Sequence, residues 1–374
     1  MPSIRSVQRL LSIASFCLGV LQAQSPVSGA GSLDSGEEIY RETCLACHGA
    51  GGSGMSQHAV GFSTPLPDFT DCNFASREPS GDWVAVVHDG GPVRAFSAVM
   101  PAFGEALRVE QMELVVEYVR EFCPDPAWPR GELNLPRALV TGKAFPEDEA
   151  VLTTTAATEG PGSFGHELIY EKRIGARSQI EGIMPFGFRR QSNDEWAGGV
   201  GDIGLAFKRA MFHSLKSGSI VSLAGEVLLP TGDKEIGTGN GVTVFEPYVA
   251  VGQILPWDSF VQFQAGAGLP THEDDVSKEI FWRTAVGKTV SERRGFGRAW
   301  TFMTEVLAAR DLETGAVTEW DLLPQVQVTL SKRQHIMANA GVRFPVNNAG
   351  SRSTEVVFYL LWDTFDGGLF EGWK

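Results

Sequence analysis

Residues 261–269 read Val-Gln-Phe-Gln-Ala-Gly-Ala-Gly-Leu. Val261, Phe263, Ala265, Ala267 and Leu269 alternate with Gln262, Gln264, Gly266 and Gly268, so a strand built on this stretch has one apolar and one polar face. The same period of two returns further along. Val326, Val328 and Leu330 alternate with Gln325, Gln327 and Thr329, and Ile336, Ala338, Ala340, Val342 and Phe344 form another set, as do Val356, Phe358, Leu360 and Trp362. Residues 150–366 hold about a dozen such segments, each roughly ten residues long.

Two architectures share this period. A soluble β-sandwich or lipocalin-like barrel turns the apolar faces inward, whereas a membrane barrel turns them outward to lipid. Strand length, strand number, the absence of cysteine pairs in this half and the aromatics at strand ends (Trp257, Trp282, Trp300, Trp320 and Trp362) point to an antiparallel transmembrane β-barrel of about 12 strands. The polar faces then put Glu167, Glu181, Glu226, Glu246, Glu305 and Glu355 in the lumen with Gln262, Asn339 and Arg343. Carboxylates in a narrow lumen need partners, expected among Lys172, Arg189, Lys208, Arg283 and Arg343. No Ser-His-Asp arrangement, phosphate loop or metal-binding His cluster stands in this half, so its acids read as lining.

Upstream, residues 126–149 carry prolines at 126, 129, 136 and 146 with mixed charge and read as an ordered connector. Before it the period becomes helical. The run Cys44-Leu45-Ala46-Cys47-His48 is the attachment signature of a c-type haem: two thiols on one helical turn can bond the vinyl groups, and the adjacent imidazole can face the iron. A thioredoxin-type pair and a zinc half-site are the competing readings. Asp34 or Ser35 is expected to cap the helix that carries the motif, and Ser80 or Asp82 a second one ending at Gly90. A last helix runs from about Val109 to Phe122, with Met112, Val115, Val116 and Val119 on its apolar stripe. Met100, in the loop Val99-Met100-Pro101, is the expected sixth iron ligand, with His88 and His58 as rivals.

Arg5 and Arg9, an apolar stretch over Leu10–Leu21 and the small residue Ala23 fit a cleaved export signal over 1–23. Export implies an oxidising compartment, in which the remaining pair, Cys72 and Cys123, is expected to form a disulfide. The chain of 374 residues has a net charge of −14, and residues 34–130 hold 15 acids against 6 bases. Such a domain repels nucleic acid and suits basic partners, or partners not steered by charge.

One Cys-x-x-Cys-His helix, a Met-Pro loop and a C-terminal amphipathic helix resemble class I monohaem cytochromes c over residues 34–125. That resemblance implies one covalently attached haem c, held by Cys44 and Cys47, with His48 and Met100 as axial ligands and Tyr118 packed on the first helix. The Cys72 and Cys123 pair departs from the family pattern. In the second half, Val200-Gly201-Asp202-Ile203-Gly204-Leu205 and Leu229-Pro230-Thr231-Gly232-Asp233 are similar to outer-membrane barrels described as transporters of the phenol meta-degradation type. A departure is the tail 367–374 after Phe365, in place of a terminal Phe.

The fold expected is therefore α + all-β: a small all-α cytochrome domain, a connector and a barrel, similar in arrangement to the fused cytochrome-porins of iron-oxidising bacteria. The expected function is single-electron transfer between periplasmic redox proteins and a donor or acceptor at the barrel, with the haem domain at the periplasmic mouth of an outer-membrane pore that admits a reductant. The alternative is a passive transport barrel for small solutes carrying an accessory haem. An enzyme reducing a small ligand at the iron is a third reading, which needs Met100 off the iron.

Overall fold

A computed structural model describes residues 33–364 apart from 161, 193, 274–275 and 293–295. The expected leader, Phe365 and the tail lie outside the described residues. The N-terminal part is helical: α1 (Gly36–Thr43), α2 (Leu45–His48), α3 (Gln57–Val60), α4 (Cys72–Ala75), α5 (Ser80–Asp89) and α6 (Val109–Arg120). Ser35, in extended backbone, caps α1 by accepting from the Glu38 N–H, and Glu37 and Glu38 sit at the positive end of the helix. Helix α5 begins differently from the expectation. Its N-cap is Pro79, which has no side-chain acceptor, and the Ser80 N–H donates instead to the Glu132 carboxylate at 3.0 Å. The cap comes from the connector, 52 residues away in sequence, where local capping rules do not look.

Helices α1 and α6 cross at Gly36. A Cβ built there would lie 2.2 Å from the Leu114 carbonyl oxygen and 2.8 Å from Tyr118 Cβ, so no other residue allows this approach. Tyr118 meets Tyr40 of α1 with ring centroids 5.4 Å apart. Ile39, Tyr40, Val84, Leu107, Met112, Val115, Val116 and Val119 form the core between α1, α5 and α6. Gly36→Ala is expected to force the two helices apart and destabilise this domain by about 1–3 kcal/mol, the usual range for overpacking. Thermal unfolding followed at a helical signal measures it, and an unchanged midpoint would contradict the crossing.

The strands are β1 (Glu149–Ala157), β2 (Ser163–Ile174), β3 (Ser178–Arg190), β4 (Trp196–Val200), β5 (Ile203–Ser214), β6 (Ser219–Leu229), β7 (Val244–Leu255), β8 (Ser259–Pro270), β9 (Glu279–Ser291), β10 (Ala299–Asp311), β11 (Glu319–Thr329), β12 (Ile336–Pro345) and β13 (Glu355–Asp363). Neighbours pair antiparallel in sequence order and β1 pairs with β13, so the sheet closes. Because β4 and β5 both lie along β3, separated by Gly201-Asp202, the barrel has 12 staves. Closure leaves no unpaired edge along the wall apart from the short strand β4 at the far rim, which pairs with β3 alone, as a lipid environment requires.

Side-chain parity decides between the two architectures. Leu168, Ile180, Leu205, Phe207, Leu223, Phe302 and Phe358 are exposed on the outer wall. Glu171, Gln179, Lys208, Gln262, Gln264, Glu305, Gln325 and Asn339 are buried inside it. Apolar out and polar in is the membrane arrangement. Trp257 and Trp300 lie at the rim where β1 begins and β13 ends, the near rim, and Trp196, Trp282 and Trp320 lie toward the far rim, which gives an aromatic girdle at each end. Near-rim turns such as 175–177, 215–218 and 256–258 are short, whereas the far-rim connection 230–243 is long.

The Gly-Asp and Pro-Thr-Gly-Asp segments make a clasp at the far rim. Asp202 accepts from the N–H groups of Gly232 (3.0 Å) and Asn240 (2.7 Å), while Thr231 Oγ1 accepts from the Ile203 N–H and donates to the Gly201 carbonyl. Gly239 lets this connection fold against Gly232, since its Cβ would sit 2.6 Å from the Gly232 backbone. The motif is structural.

The connector does not run beside the barrel: residues 133–147 enter the lumen from the near rim. Leu133, Ala144 and Phe145 pack on Ala210, Ile220 and Ala250, and Leu135 and Ala138 pack on Phe260, Ala285 and Met303. The backbone is held by lumen side chains. Gln325 accepts from the Leu139 N–H, Gln264 accepts from the Gly142 N–H, Gln262 donates to the Pro136 carbonyl, Tyr359 to that of Arg137, and Lys208 to that of Lys143. Glu305, seventh of the 13 residues of β10, accepts from the N–H groups of Val140 (3.0 Å) and Thr141 (2.6 Å) and from the Thr141 hydroxyl. Three donors, two of them buried, on one buried carboxylate leave little freedom at this tip, because a buried donor is costly unpaired.

The connector brings cations of its own, which pair with acids other than the six the alternating pattern put in the lumen. Arg137 of the connector pairs with Glu149 and, at 2.7 Å, with Glu171, and Lys143 pairs with Glu147. Of the expected partners, Arg343 pairs with Asp321 and Glu355, while Lys172 reaches Asp148 at the near rim.

Candidate functional site

Helix α1 breaks at Cys44, whose N–H still bonds the Tyr40 carbonyl, and restarts as the single turn α2. Cys44 and Cys47, one turn apart, are half-buried free thiols. His48 is buried and ends α2; the Tyr40 hydroxyl donates to the Gly49 carbonyl at 2.6 Å and pins the exit of the turn. Burial pushes the His48 pKa down and so keeps the imidazole neutral, the form in which it binds a metal, and its Nδ1 is buried without a hydrogen-bond partner. Burial also raises the Cys44 thiol, against the hydrogen bond from Thr43. The Phe69 ring stacks on His48 with centroids 4.9 Å apart, and Trp83 stands 5.4 Å beyond Phe69.

Two free thiols at this spacing, a buried neutral imidazole and an aromatic wall fit a c-type haem. The half-buried Met100 lies in the loop after the 3₁₀ turn Gly91–Arg94, and the Phe103 and Gly104 N–H groups that follow it bond the carbonyls of Val87 and His88 on α5. Cys44, Leu45 and Phe103 pack against one core, which brings the motif and the methionine loop onto a common support. Of the other candidate ligands, His88 meets Asp89 at 2.7 Å and lies tilted against Phe296 of the β9–β10 connection with centroids 4.8 Å apart, and His58 is exposed on α3. Cys72 and Cys123 form a disulfide, Cα atoms 5.2 Å apart, which ties α4 to the end of α6.

The helical domain is seated on the near rim. Arg77 and Asp148 form a buried ion pair, His335 of the β11–β12 connection meets Glu78 at 2.7 Å, and the Arg177 guanidinium donates to the Ala127 carbonyl. Gly131 makes the junction close, since its Cβ would fall 2.3 Å from the Arg77 carbonyl oxygen. None of these contacts has a sequence signal, because each joins residues far apart in the chain whose types are common on surfaces.

Residues 31–119 match the family described as cytochrome c oxidase, cbb3-type, subunit III. No curated protein matches the chain at a significant level. Among solved structures, the NanC porin is 9% identical with a TM-score of 0.41, over 57% of this chain and 99% of its own. The COG4313 outer membrane channel from Pseudomonas putida F1 is 9% identical with a TM-score of 0.44, over 61% and 99%. The KdgM porin is 8% identical with a TM-score of 0.37, over 57% and 98%. The chain thus joins a c-type cytochrome domain at residues 31–119 to a closed 12-stranded antiparallel β-barrel resembling outer-membrane porins and channels.

Proposed function

We propose that this protein is a single-haem electron carrier fixed to the outer membrane by a barrel that its own connector closes. Cys44 and Cys47 hold the haem covalently, and His48 and Met100 are its axial ligands. When bound, the group supplies one-electron exchange between ferrous and ferric iron. The chain's own residues do the rest: burial keeps His48 neutral, Phe69 and Trp83 shield it from water, and the rim contacts fix the domain so that its distance to the membrane does not vary.

The observation that carries this reading over passive transport is the connector inside the lumen, bonded at Gln264, Glu305 and Gln325. On this reading residues 140–142, bonded to the middle of the wall, stand in the path of a reductant that would reach the haem through the lumen. Both barrel ends lie on the near rim, so export of the N-terminus supports a haem domain on the periplasmic side, where single electrons pass between periplasmic redox proteins and a donor or acceptor held at the barrel.

Vesicles carrying the protein with the haem domain outward test this. A membrane-impermeant reductant added outside is expected to reduce the haem fully, His48→Ala to lose that signal, and an enclosed small dye to stay inside. Rapid dye efflux from wild-type vesicles would favour the transport barrel instead.

A further inference from the structure

We propose that the barrel rim holds the methionine loop of the haem domain in place, with Arg94 as the positioning residue for Met100. This rests on the axial assignment above. The loop closes on itself: the Gly91 N–H donates to the Met100 carbonyl (3.1 Å), the Phe96 N–H to the Gly91 carbonyl (2.9 Å) and the Met100 N–H to the Ser97 carbonyl (3.2 Å). At Gly91 the two ends touch, for a Cβ there would lie 2.2 Å from the Ser97 oxygen and 3.3 Å from Met100 Cβ. Displacement of residues 92–97 is therefore passed directly to Met100.

The loop does not rest in a relaxed conformation. Ala95 has a φ of 56°, the left-handed region that a residue with a Cβ disfavours. Its neighbour Arg94 supplies the restraint. The guanidinium is buried; Nε and Nη2 donate to Asp82 Oδ1 of α5 at 2.9 and 2.6 Å, and Nη1 donates to the Phe296 carbonyl of the β9–β10 connection at 2.6 Å. One side chain thus ties the methionine loop to the haem domain and to the barrel. A second barrel connection touches the same loop, where the Arg333 guanidinium lies 4.6 Å over the Phe96 ring. The contacts described for residues 45–66, next to the Cys-x-x-Cys-His turn, are with the helical domain alone, so of the two ligand-bearing segments it is the methionine loop that the barrel touches.

The test uses the full-length ferric protein in detergent. Its readouts are the far-red charge-transfer band of methionine-ligated iron and the affinity for added imidazole, which competes with a methionine that lets go. Arg94→Ala is expected to weaken the band and tighten imidazole binding about tenfold, since a larger fraction of molecules has the iron free. Arg94→Lys restores part of the band. Arg333→Ala, which removes the barrel side chain held over the Phe96 ring and leaves the haem domain's own residues intact, shifts both readouts the same way by a smaller factor, and carries the test if Arg94→Ala does not fold. Band and imidazole affinity unchanged within about twofold in the folded Arg94→Ala protein would overturn the proposal. A wild-type spectrum without the band would overturn the Met100 assignment itself, which is a different failure.

Discussion

Replacing Cys44 and Cys47 together by alanine is expected to remove all covalently bound haem while leaving the barrel folded. Two-armed thioether attachment needs both thiols one turn apart, and the two are the free, half-buried cysteines of the described chain. Haem staining of the denatured protein reads the loss, and retention of native barrel mobility on an unboiled gel shows that the fold survives. Single Cys→Ala variants should keep a weaker, one-armed attachment. Stain that persists in the double variant would sink the haem assignment to this turn. Loss of stain together with loss of the folded barrel would show instead that the two halves fold as one unit, which the buried Arg77–Asp148 pair makes a real alternative: removing one partner of such a pair costs about 3–5 kcal/mol.

Opening the lumen should produce the second large effect. Glu305→Ala leaves the Val140 and Thr141 N–H groups and the Thr141 hydroxyl without their acceptor, and Gln325 without one of its partners. At roughly 1–3 kcal/mol for each buried unsatisfied group, the connector tip loses several kcal/mol of anchorage. In planar bilayers the wild type is expected to be electrically silent, Glu305→Ala to show intermittent openings, and a chain with residues 138–143 replaced by glycine and serine to show steady ones. Glu305→Gln keeps part of the acceptor set and should lie between wild type and Glu305→Ala. A wild-type protein that conducts steadily would show that the connector does not seal the barrel.

Local patterns carried much of this molecule. The alternation of 261–269 and its repeats gave strands of the right length and number, because the period of two is a property of the extended chain itself. The inward set Glu167, Glu181, Glu226, Glu246, Glu305 and Glu355 followed from that period once a lumen was assumed. Ser35 as a cap, the stripe of α6 and the Tyr118 contact with the first helix were likewise readable, since each depends on spacing within one helix or on a resemblance resting on adjacent residues. The Glu132 cap of α5, the Gly36 crossing and the Arg94 tie were not readable, because each acceptor or close neighbour comes from another part of the chain.

The sequence by itself determined the Cys-x-x-Cys-His turn, the strand period and the division into a helical and a β half, all of which are encoded by residues a few positions apart. It left open which face of the strands turns inward, because a period of two is symmetric between a soluble and a membrane barrel. Tertiary structure decided that, and it decided what fills the lumen. Connector residues with mixed charge and four prolines look like a surface linker until the polar lumen is present to accept their N–H groups and pair Arg137 and Lys143 with buried carboxylates. A buried polar segment is stable only with all its partners assembled, and those partners lie on strands spread over more than 200 residues of chain.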